Sequence, residues 1–188
     1  MTDPNGPATP ARVRIEPWSP GDLDLLRRAN APELMEHLGG PETEDQLLVR
    51  HARYVGLSAE HAGRGRMFRV VVAESGQTAG IIGYWEQDWV DQRVYETGWT
   101  VLPGFHGRGI ASAAARAVAE RAGAERRHRY LHAFPSVDNG PSNAVCRKAG
   151  FTLLGPCDLE YPPGRPMRAN DWRLDLLGGT PGAGGAAG

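Results

Sequence analysis

The chain has 188 residues, and its 21 Lys and Arg residues against 22 Asp and Glu residues give a formal net charge of −1. This balance provides no general field that attracts nucleic acid or an anionic membrane, and we predict neither as a partner. The two cysteines form no Cys-x-x-Cys pair and are too few for a disulfide-held scaffold. The chain has neither a signal-like N-terminus nor an apolar run of about 18 residues, so we expect a cytoplasmic protein.

The two ends of the chain differ in composition from its middle. Residues 1–10 are rich in Pro, Gly and Asn, and residues 178–188 are almost entirely Gly and Ala. Such segments have few apolar side chains to bury, so we predict that both are disordered. The intervening residues 11–177 are predicted to form one domain with a sizeable core.

The N-terminal part of this domain predicts one strand and two helices. Segment 13–18 alternates in polarity and predicts a strand, placed at a sheet edge because Pro17 has no amide to donate. Segment 23–30 and a longer segment, 41–62, predict helices, the second with acidic residues in its first turn. The apolar residues expected to bury this second helix are Leu47, Leu48, Ala52, Val55 and Leu57.

The middle of the domain predicts a hairpin, a central strand and a crossover. Segments 67–73 and 79–85 predict two strands joined by a Glu-Ser-Gly-Gln turn. A polar connection, 86–93, is expected before the central strand. The remaining predicted elements are the strand 94–102, the helix 107–121 with Ile110, Ala114, Ala117 and Val118 facing inward, the strand 130–134, the helix 143–149 and the final strands 151–155 and 171–177.

A glycine-rich bend joins the central strand to the next helix. Gly104, Gly107 and Gly109 accept φ > 0 and let an anion approach the backbone, where the first helical amides carry partial positive charge. The bend therefore predicts a phosphate site, although Gly107-x-Gly109 alone also fits an ordinary tight turn. A P-loop is excluded because the only lysine is Lys148, and a mid-chain position disfavours a Rossmann fingerprint.

Two motifs in a fixed order carry a family resemblance. The bend lies in Val101-x-Pro-x-x-His-Gly-Arg-Gly-Ile-Ala111, and a helix and a strand separate it from Asn139-x-x-Ser-Asn-Ala-Val-x-x-Lys-x-Gly-Phe151. This arrangement resembles the GNAT superfamily of N-acetyltransferases over about residues 11–177. The Asn139-x-x-Ser142 element is similar to the subgroup of ribosomal-protein N-terminal acetyltransferases.

These elements predict an α+β fold with three layers, α/β/α. A strand, helix and strand across residues 94–134 require one right-handed parallel crossover, whereas hairpin-connected strands are antiparallel. We expect a mixed, largely antiparallel twisted sheet of about six to seven strands. The resemblance implies that the two parallel strands splay apart and that acyl-CoA lies in the opening.

The resemblance also implies a set of residues that bind acetyl-CoA. Backbone groups freed where the central strand kinks are expected to bind the thioester carbonyl and the pantetheine arm at Trp99, Thr100 and Val101. The pyrophosphate is expected on Gly107, Arg108, Gly109, Ile110, Ala111 and Ser112. His106, where the family usually has Gln or Arg, helps to hold the turn, and Asn139 touches the pantetheine or orients its loop.

Glu96 on the central strand is the first candidate for a general base. In several members of the resembled family a carboxylate near this position acts through water. Desolvating a carboxylate costs several kcal/mol unless it is paired or functional, so an ion pair with an arginine is the equal alternative. Asp91 and Glu86 in the adjacent connection are weaker candidates.

Two residues are candidates for returning a proton to the thiolate. Cys146 occupies the position where many family members have a tyrosine, and its alternative is a small buried hydrophobe. Ser142 takes this role in the similar subgroup, and its alternative is a helix N-cap.

The acceptor is the least defined part of the sequence. Trp85, Trp89 and Tyr84 near Asp88 and Asp91 predict an aromatic, acidic mouth, or else ordinary sheet packing. By resemblance, the N-terminal helices and the connection 158–170 set acceptor specificity. The six histidines show no metal-ligand spacing, so we predict no metal, and a homodimer is compatible with the sequence.

The resulting functional hypothesis is transfer of an acetyl group from acetyl-CoA to a primary amine. A peptide or protein N-terminus is slightly favoured as the acceptor by Asn139-x-x-Ser142, and small amines remain open. The absent tyrosine motivates a second hypothesis, an acyl-CoA-binding sensor with reduced catalysis. A nucleotide-binding protein is the third.

Overall fold

The computed structural model describes residues 12–59 and 64–178. The predicted disordered segment 1–10 and all but the first residue of the predicted tail lie outside the described residues. The elements, in chain order, are β1 Val13–Pro17, α1 Leu23–Ala29, α2 Pro32–Met35, α3 Glu44–Ala59, β2 Gly65–Val72, β3 Thr78–Trp89, β4 Gln92–Val101, α4 Ile110–Glu125, β5 Tyr130–Ala133, α5 Gly140–Ala149, β6 Thr152–Glu160 and β7 Pro166–Asp175.

These strands form one mixed sheet in the order β1-β2-β3-β4-β5-β7-β6. Strands β4 and β5 are parallel and joined through α4, and the other neighbouring pairs are antiparallel. The predicted sheet with one parallel crossover is confirmed. β1 lies at an edge, as Pro17 predicts.

Helices cover both faces of this sheet. α4 and α5 pack on one face through a core that includes Ile110, Ala114, Val118 and Leu131. On the other face α1 and α3 pack over a second core, which contains Leu26, Leu47, Met67 and Ile81 among its buried residues. The prediction of three α/β/α layers is therefore confirmed. No helix in the described part of the chain is long and apolar enough to cross a membrane.

Two predicted helical faces need correction. On α3, Leu48 is 44% exposed and Ala52 is also exposed, because α3 contacts the sheet along one narrow stripe around Leu47. A residue next to Leu47 lies about 100° around the helix and turns to solvent. On α4, Ala117 is only partly buried and Ala115 occupies the core instead.

Two segments predicted as connections are strands. Segment 86–93 is wrong as a connection, because β3 and β4 form one long hairpin closed at Val90 and Asp91, with φ of 44° and 59°. Positive φ at both turn residues matches the twist of the flanking strands. Segment 158–170 is likewise wrong as a connection, because β6 and β7 continue on both sides of residues 161–165.

A polar network fixes the C-terminal end of α4 to the sheet. The Glu125 carboxylate accepts hydrogen bonds from Tyr84 at 2.5 Å, Tyr95 at 2.8 Å and Arg66 at 2.9 Å. Since these donors belong to β2, β3 and β4, one carboxylate holds three strands against the helix. The network thus anchors the C-terminal end of α4 to the sheet.

Candidate active site

The parallel strands β4 and β5 are paired over only two residues each. Tyr95 lies opposite Leu131 and Glu96 lies opposite His132. Beyond this point β4 continues to Val101 beside β3 alone, while β5 remains paired with β7. The two strands therefore splay apart, and one edge of β4 faces an opening without a strand partner.

The three predicted acyl-binding residues lie along this opening. Trp99, Thr100 and Val101 are all half-buried at the end of β4. We expected a kink in the central strand to free their backbone groups, but the β3–β4 ladder runs from Gly80 to Trp89 without a register shift. The open edge arises instead because β5 diverges from β4.

The bend after β4 has the backbone that the glycines predicted. Gly107 and Gly109 have φ of 74° and 73°, in the left-handed region that L residues rarely adopt. These conformations delay the start of α4 to Ile110, three residues later than predicted. The first helical bond runs from the amide of Ala113 to the carbonyl of Gly109, so the preceding helical amides have no acceptor within the helix.

Space around this bend allows an anion to reach the backbone. A Cβ built at Gly104, Gly107 or Gly109 would meet no atom of the described residues within 4 Å. An open run of amides at the positive end of a 16-residue helix fits a diphosphate. The residues present therefore fit coenzyme A.

His106 and Arg108 lie in the same bend and make different contacts. The Nε2 atom of His106 lies 2.7 Å from the carbonyl oxygen of Val101, which ties the bend to the end of β4. Since a carbonyl only accepts, Nε2 carries the proton and donates. The guanidinium of Arg108 lies 5.5 Å from the centre of the Phe105 ring, an exposed position from which it can meet an anion.

Glu96 stands at the mouth of the opening. Its carboxylate accepts a hydrogen bond from Trp85 Nε1 at 3.2 Å, and no arginine of the described residues pairs with it, so the predicted alternative of an arginine ion pair is wrong. Burial raises the pKa of Glu96 to about 7, against a smaller lowering by Trp85. Gly98 makes this contact possible, because a Cβ there would lie 3.1 Å from the Trp85 ring. A carboxylate with this pKa exchanges protons readily near neutral pH.

The start of α5 assigns different roles to Asn139 and Ser142. Asn139 is the N-cap, and its side chain accepts the amide of Ser142 at 3.0 Å. The alternative reading of Ser142 as N-cap is therefore wrong. Ser142 is half-buried in the first turn, and its hydroxyl has no hydrogen-bond partner among the described residues.

Cys146 is a core residue one turn further along α5. It is fully buried among the apolar side chains beneath the sheet. Burial raises the pKa of its thiol to about 12. The thiol is thus a weak acid at neutral pH, and its environment favours the interpretation as a small buried hydrophobe.

The predicted aromatic mouth is divided between the two faces of the sheet. Tyr84 is fully buried and bonds Glu125 on the α4 side, so its inclusion was wrong. Trp85 and Trp89 project to the opposite face with Glu96, since residues two apart share a face. Glu86, with Tyr84, faces away from Glu96 and bonds His128 at 2.9 Å.

The acidic residues of the same hairpin have separate places. Asp88 pairs with Arg93 at 2.8 Å, and Asp91 is exposed at the turn. None of the other candidate carboxylates of this hairpin therefore lies next to Glu96. These are Glu86, Asp88 and Asp91.

A pair that sequence reasoning missed lies beside Glu96. The Nδ1 atom of buried His132 is 2.7 Å from Asp171 Oδ1, and Trp89 Nε1 donates to Asp171 Oδ2 at 2.9 Å. His132 and Asp171 are 39 residues apart, so no local motif connects them. Alternation along 130–134 does place His132 on the face of Tyr130 and Phe134, which was the one available signal.

A cavity of about 410 Å³ lies where the N-terminal helices approach the β6–β7 hairpin. Arg165 of the hairpin donates to the carbonyl of Gly39 at 2.9 Å and closes one side of it. The two regions expected to set acceptor specificity, the N-terminal helices and the segment 158–170, thus line the same cavity. The lining residues are Glu36, His37, Gly39, Gly40, Ser136, Tyr161, Arg165, Pro166 and Met167. Within residues 12–59 and 64–178, no group of three or more His, Cys, Asp and Glu side chains is arranged to hold a metal ion.

Solved structures share this architecture. The acetyltransferase of the GNAT family from Bacillus anthracis has a TM-score of 0.70 at 19% identity, covering 90% of this chain and 98% of that one. Spermidine N-acetyltransferase from Vibrio cholerae, in complex with CoA and spermine, has a TM-score of 0.69 at 17% identity, covering 87% and 95%. An acetyltransferase from Salmonella typhimurium that modifies the N-terminal serine of ribosomal protein L7/L12 has a TM-score of 0.69 at 20% identity, covering 90% and 97%. At these identities the likeness establishes the fold.

The sequence itself identifies the family. No curated protein matches the chain significantly. A family model described as the acetyltransferase (GNAT) domain, however, matches residues 12–152, which include the opening, the bend and all of α5. The chain therefore belongs to the GNAT family of acetyltransferases.

Proposed function

We propose that this protein transfers an acetyl group from acetyl-CoA to a primary amine by direct attack of the amine on the thioester. The observation that carries the proposal is the opening between β4 and β5, with Glu96 at its mouth and the amide-rich bend beyond it. Structures of similar fold include enzymes whose names give spermidine, an aminoglycoside and a ribosomal-protein N-terminus as acceptors.

The bend and the open edge of β4 would hold the two ends of the donor. Open amides at residues 107–112 are suited to the diphosphate, and Arg108 adds a positive charge. The free edge at Trp99–Val101 can pair with the pantetheine amides. Amide groups there would also stabilise the negative charge that develops on the thioester carbonyl during attack.

Glu96 and Ser142 would move the protons. Glu96 takes a proton from the amine, whose lone pair then forms the N–C bond as the C–S bond breaks. The departing thiolate needs a proton, and the unpaired hydroxyl of Ser142 at the start of α5 is the favoured donor over buried Cys146. Asn139 fixes Ser142 through its backbone amide.

The proposed acceptor class rests on the cavity that the two expected specificity regions share. The cavity between the N-terminal helices and the β6–β7 hairpin is lined by Glu36, His37 and Arg165, and its volume of about 410 Å³ suits the first residues of a peptide. Together with Asn139-x-x-Ser142 this supports a peptide or protein N-terminal amine. A small polyamine is the alternative, since Glu36 can attract a cation.

An amine panel with thiol detection tests the proposal. Acetyl-CoA is mixed with spermidine, an aminoglycoside, a short peptide with a free N-terminus and the same peptide with a blocked N-terminus. We expect thiol release with the free peptide and one added acetyl group on its N-terminal nitrogen by mass spectrometry. CoA binding without thiol release from any amine would instead support the sensor, and tighter binding of ATP or NAD than of CoA would support a nucleotide-binding protein.

A further inference from the structure

The proposed reaction, on which this inference rests, removes two protons from the acceptor nitrogen. A primary amine is an ammonium ion at neutral pH, and the amide product keeps one of the three N–H bonds. One proton returns to the thiolate sulfur and the other leaves to solvent. Glu96 holds one proton at a time, so a second acceptor on the same face would let both steps proceed without delay.

His132 is the neighbour of Glu96 across the sheet at the last pair before the strands splay. The two residues are in register on parallel strands, so their side chains project to the same face. No hydrogen bond or ion pair joins them, and both lie at the point where β4 and β5 begin to diverge. His132 is 4% exposed, which makes it a buried basic group beside the proposed reaction centre.

Asp171 and Trp89 fix the orientation of the His132 ring. Since a carboxylate accepts, the 2.7 Å contact to Asp171 places a proton on Nδ1 and leaves the lone pair on Nε2. Trp89 donates to the second Asp171 oxygen at 2.9 Å, so both oxygens are engaged. Phe134 stacks on the His132 ring with the ring centres 5.7 Å apart, and it meets the Trp89 ring at a tilt with the centres 4.7 Å apart. No described residue is bonded to Nε2.

Other charged and titratable groups on this face do not compete for the proton. From β7, Arg173 is a permanent cation that lies 4.4 Å from the Tyr130 ring. From β6, Cys157 lies near Asp171, and burial raises the pKa of its thiol to about 11. The carboxylates next to His132 are Glu96, its register partner on β4, and Asp171, its hydrogen-bond partner on β7.

We propose that His132, oriented by Asp171, is a second catalytic base, which removes one of the two protons from the acceptor nitrogen. The N–H bond breaks, its electron pair stays on nitrogen, and the proton forms an Nε2–H bond. The resulting imidazolium is stabilised by the Asp171 carboxylate. It later loses the proton to solvent, while Glu96 takes the other proton, which replaces the one that Ser142 gives to the thiolate.

The pH dependence of kcat in the wild-type enzyme provides the first test. When two bases must be unprotonated, log kcat rises on the acid side with a limiting slope of two, whereas one base gives a slope of one. A slope of one in an enzyme that acetylates an amine overturns the second base. An enzyme that acetylates no amine refutes the proposed function instead, so the two failures are distinguishable.

His132→Asn provides the second test. The shorter amide can keep a donor near the position of Nδ1 and so keep the bond to Asp171, but it has no basic Nε2. We expect kcat to fall about 100-fold with a slope of one, and the KM for acetyl-CoA and Tm to stay near wild type. If this variant kept the wild-type kcat and the wild-type slope of log kcat against pH, His132 would have only a structural role and the proposal would be refuted.

Two further variants separate orientation from general stability. Asp171→Asn has one carbonyl oxygen for two donors, so His132 or Trp89 loses its acceptor, and we expect about a tenfold fall in kcat at unchanged KM for acetyl-CoA. His128→Asn is the matched control, because His128 bonds Glu86 on the opposite face. His128→Asn should keep the slope of two in log kcat. If His128→Asn and His132→Asn lost the slope equally, the proposal would be contradicted.

Discussion

Replacing Glu96 by Gln separates catalysis from stability at one position. With a pKa of about 7, the ionised fraction of Glu96 rises from about one tenth at pH 6 to about nine tenths at pH 8. If Glu96 is a base, its titration contributes about a tenfold increase in kcat over this range. Glu96→Gln should lose this contribution and about 100-fold in kcat at pH 8, with CoA affinity unchanged.

The same substitution should stabilise the folded protein at alkaline pH. The folded-state pKa of about 7 lies above the ordinary value of 4.5, so the favourable contribution of the protonated carboxyl is complete below pH 4.5 and is lost as pH rises through 7. Integrated from pH 5 to 8.5, this loss is about 2 to 3 kcal/mol. Glu96→Gln has no charge to bury, so its free energy of unfolding should not fall by this amount between pH 5 and 8.5.

Urea unfolding and steady-state kinetics at matched pH values check both parts. Trp85→Phe is the companion variant: it removes the hydrogen bond that lowers the pKa of Glu96, so the kinetic inflection should move to higher pH by about 0.5 to 1 pH unit. A Glu96→Gln enzyme with wild-type kcat at pH 8 would refute the assignment of the base. A wild-type stability that stays constant from pH 5 to 8.5 would refute the burial argument.

Three further predictions concern the donor site, the proton donor and the fold. Gly109→Ala should raise the Kd for CoA about fivefold by calorimetry, because φ near 73° costs an L residue about 1 kcal/mol and binding must restore the bend; an unchanged Kd would contradict this. Ser142→Ala should lower kcat about tenfold with no change in Tm, whereas Cys146→Ala should cost about 1 to 2 kcal/mol of stability and keep kcat; the reverse pattern would exchange their roles. Glu125→Gln should cost about 1 to 2 kcal/mol at pH 7, whereas exposed Glu120→Gln should cost almost nothing. Burial raises the pKa of Glu125, but the hydrogen bonds from Tyr84, Tyr95 and Arg66 together lower it by more, so the folded-state pKa lies below the ordinary value of 4.5. This stabilisation is therefore present above pH 4.5 and is lost as pH falls through the lowered folded-state pKa. A difference that persists at pH 2 would contradict that assignment.

The backbone of the bend is predictable from the sequence because its signals are local. Glycines at 107 and 109 require φ > 0, and the structure has it at both. The order of strands around α4 follows from chain connectivity. The pairing length of β4 and β5, which creates the opening, depends on where two strands diverge whose paired residues are 36 positions apart, and no short pattern contains that information.

The sequence pattern did not predict the full length of the β3–β4 and β6–β7 hairpins, because charged side chains within a strand are also typical of loops. Asp158 and Arg168 are cross-strand partners at 2.8 Å, so their charges stabilise the β6–β7 ladder rather than interrupt it. Asp88 and Arg93 do the same near the β3–β4 turn. Read singly, each of these residues indicates a solvated connection.

The acceptor side depends on contacts between distant segments. His132 and Asp171 meet only because β7 inserts between β5 and β6, and Arg165 reaches Gly39 across 126 residues of chain. Ordinary alternation predicts which face each residue occupies but not its partner. The residues that we propose for the acceptor side are therefore brought together only in the folded protein.

A crystal structure with bound coenzyme A tests the central claim most directly. The account predicts that the diphosphate oxygens lie within hydrogen-bond distance of backbone amides between Gly107 and Ser112. It also predicts that the thiol lies between β4 and β5 within reach of Ser142, on the path to Glu96. Coenzyme A bound with its diphosphate away from that bend, or with its thiol outside the opening, would contradict the account.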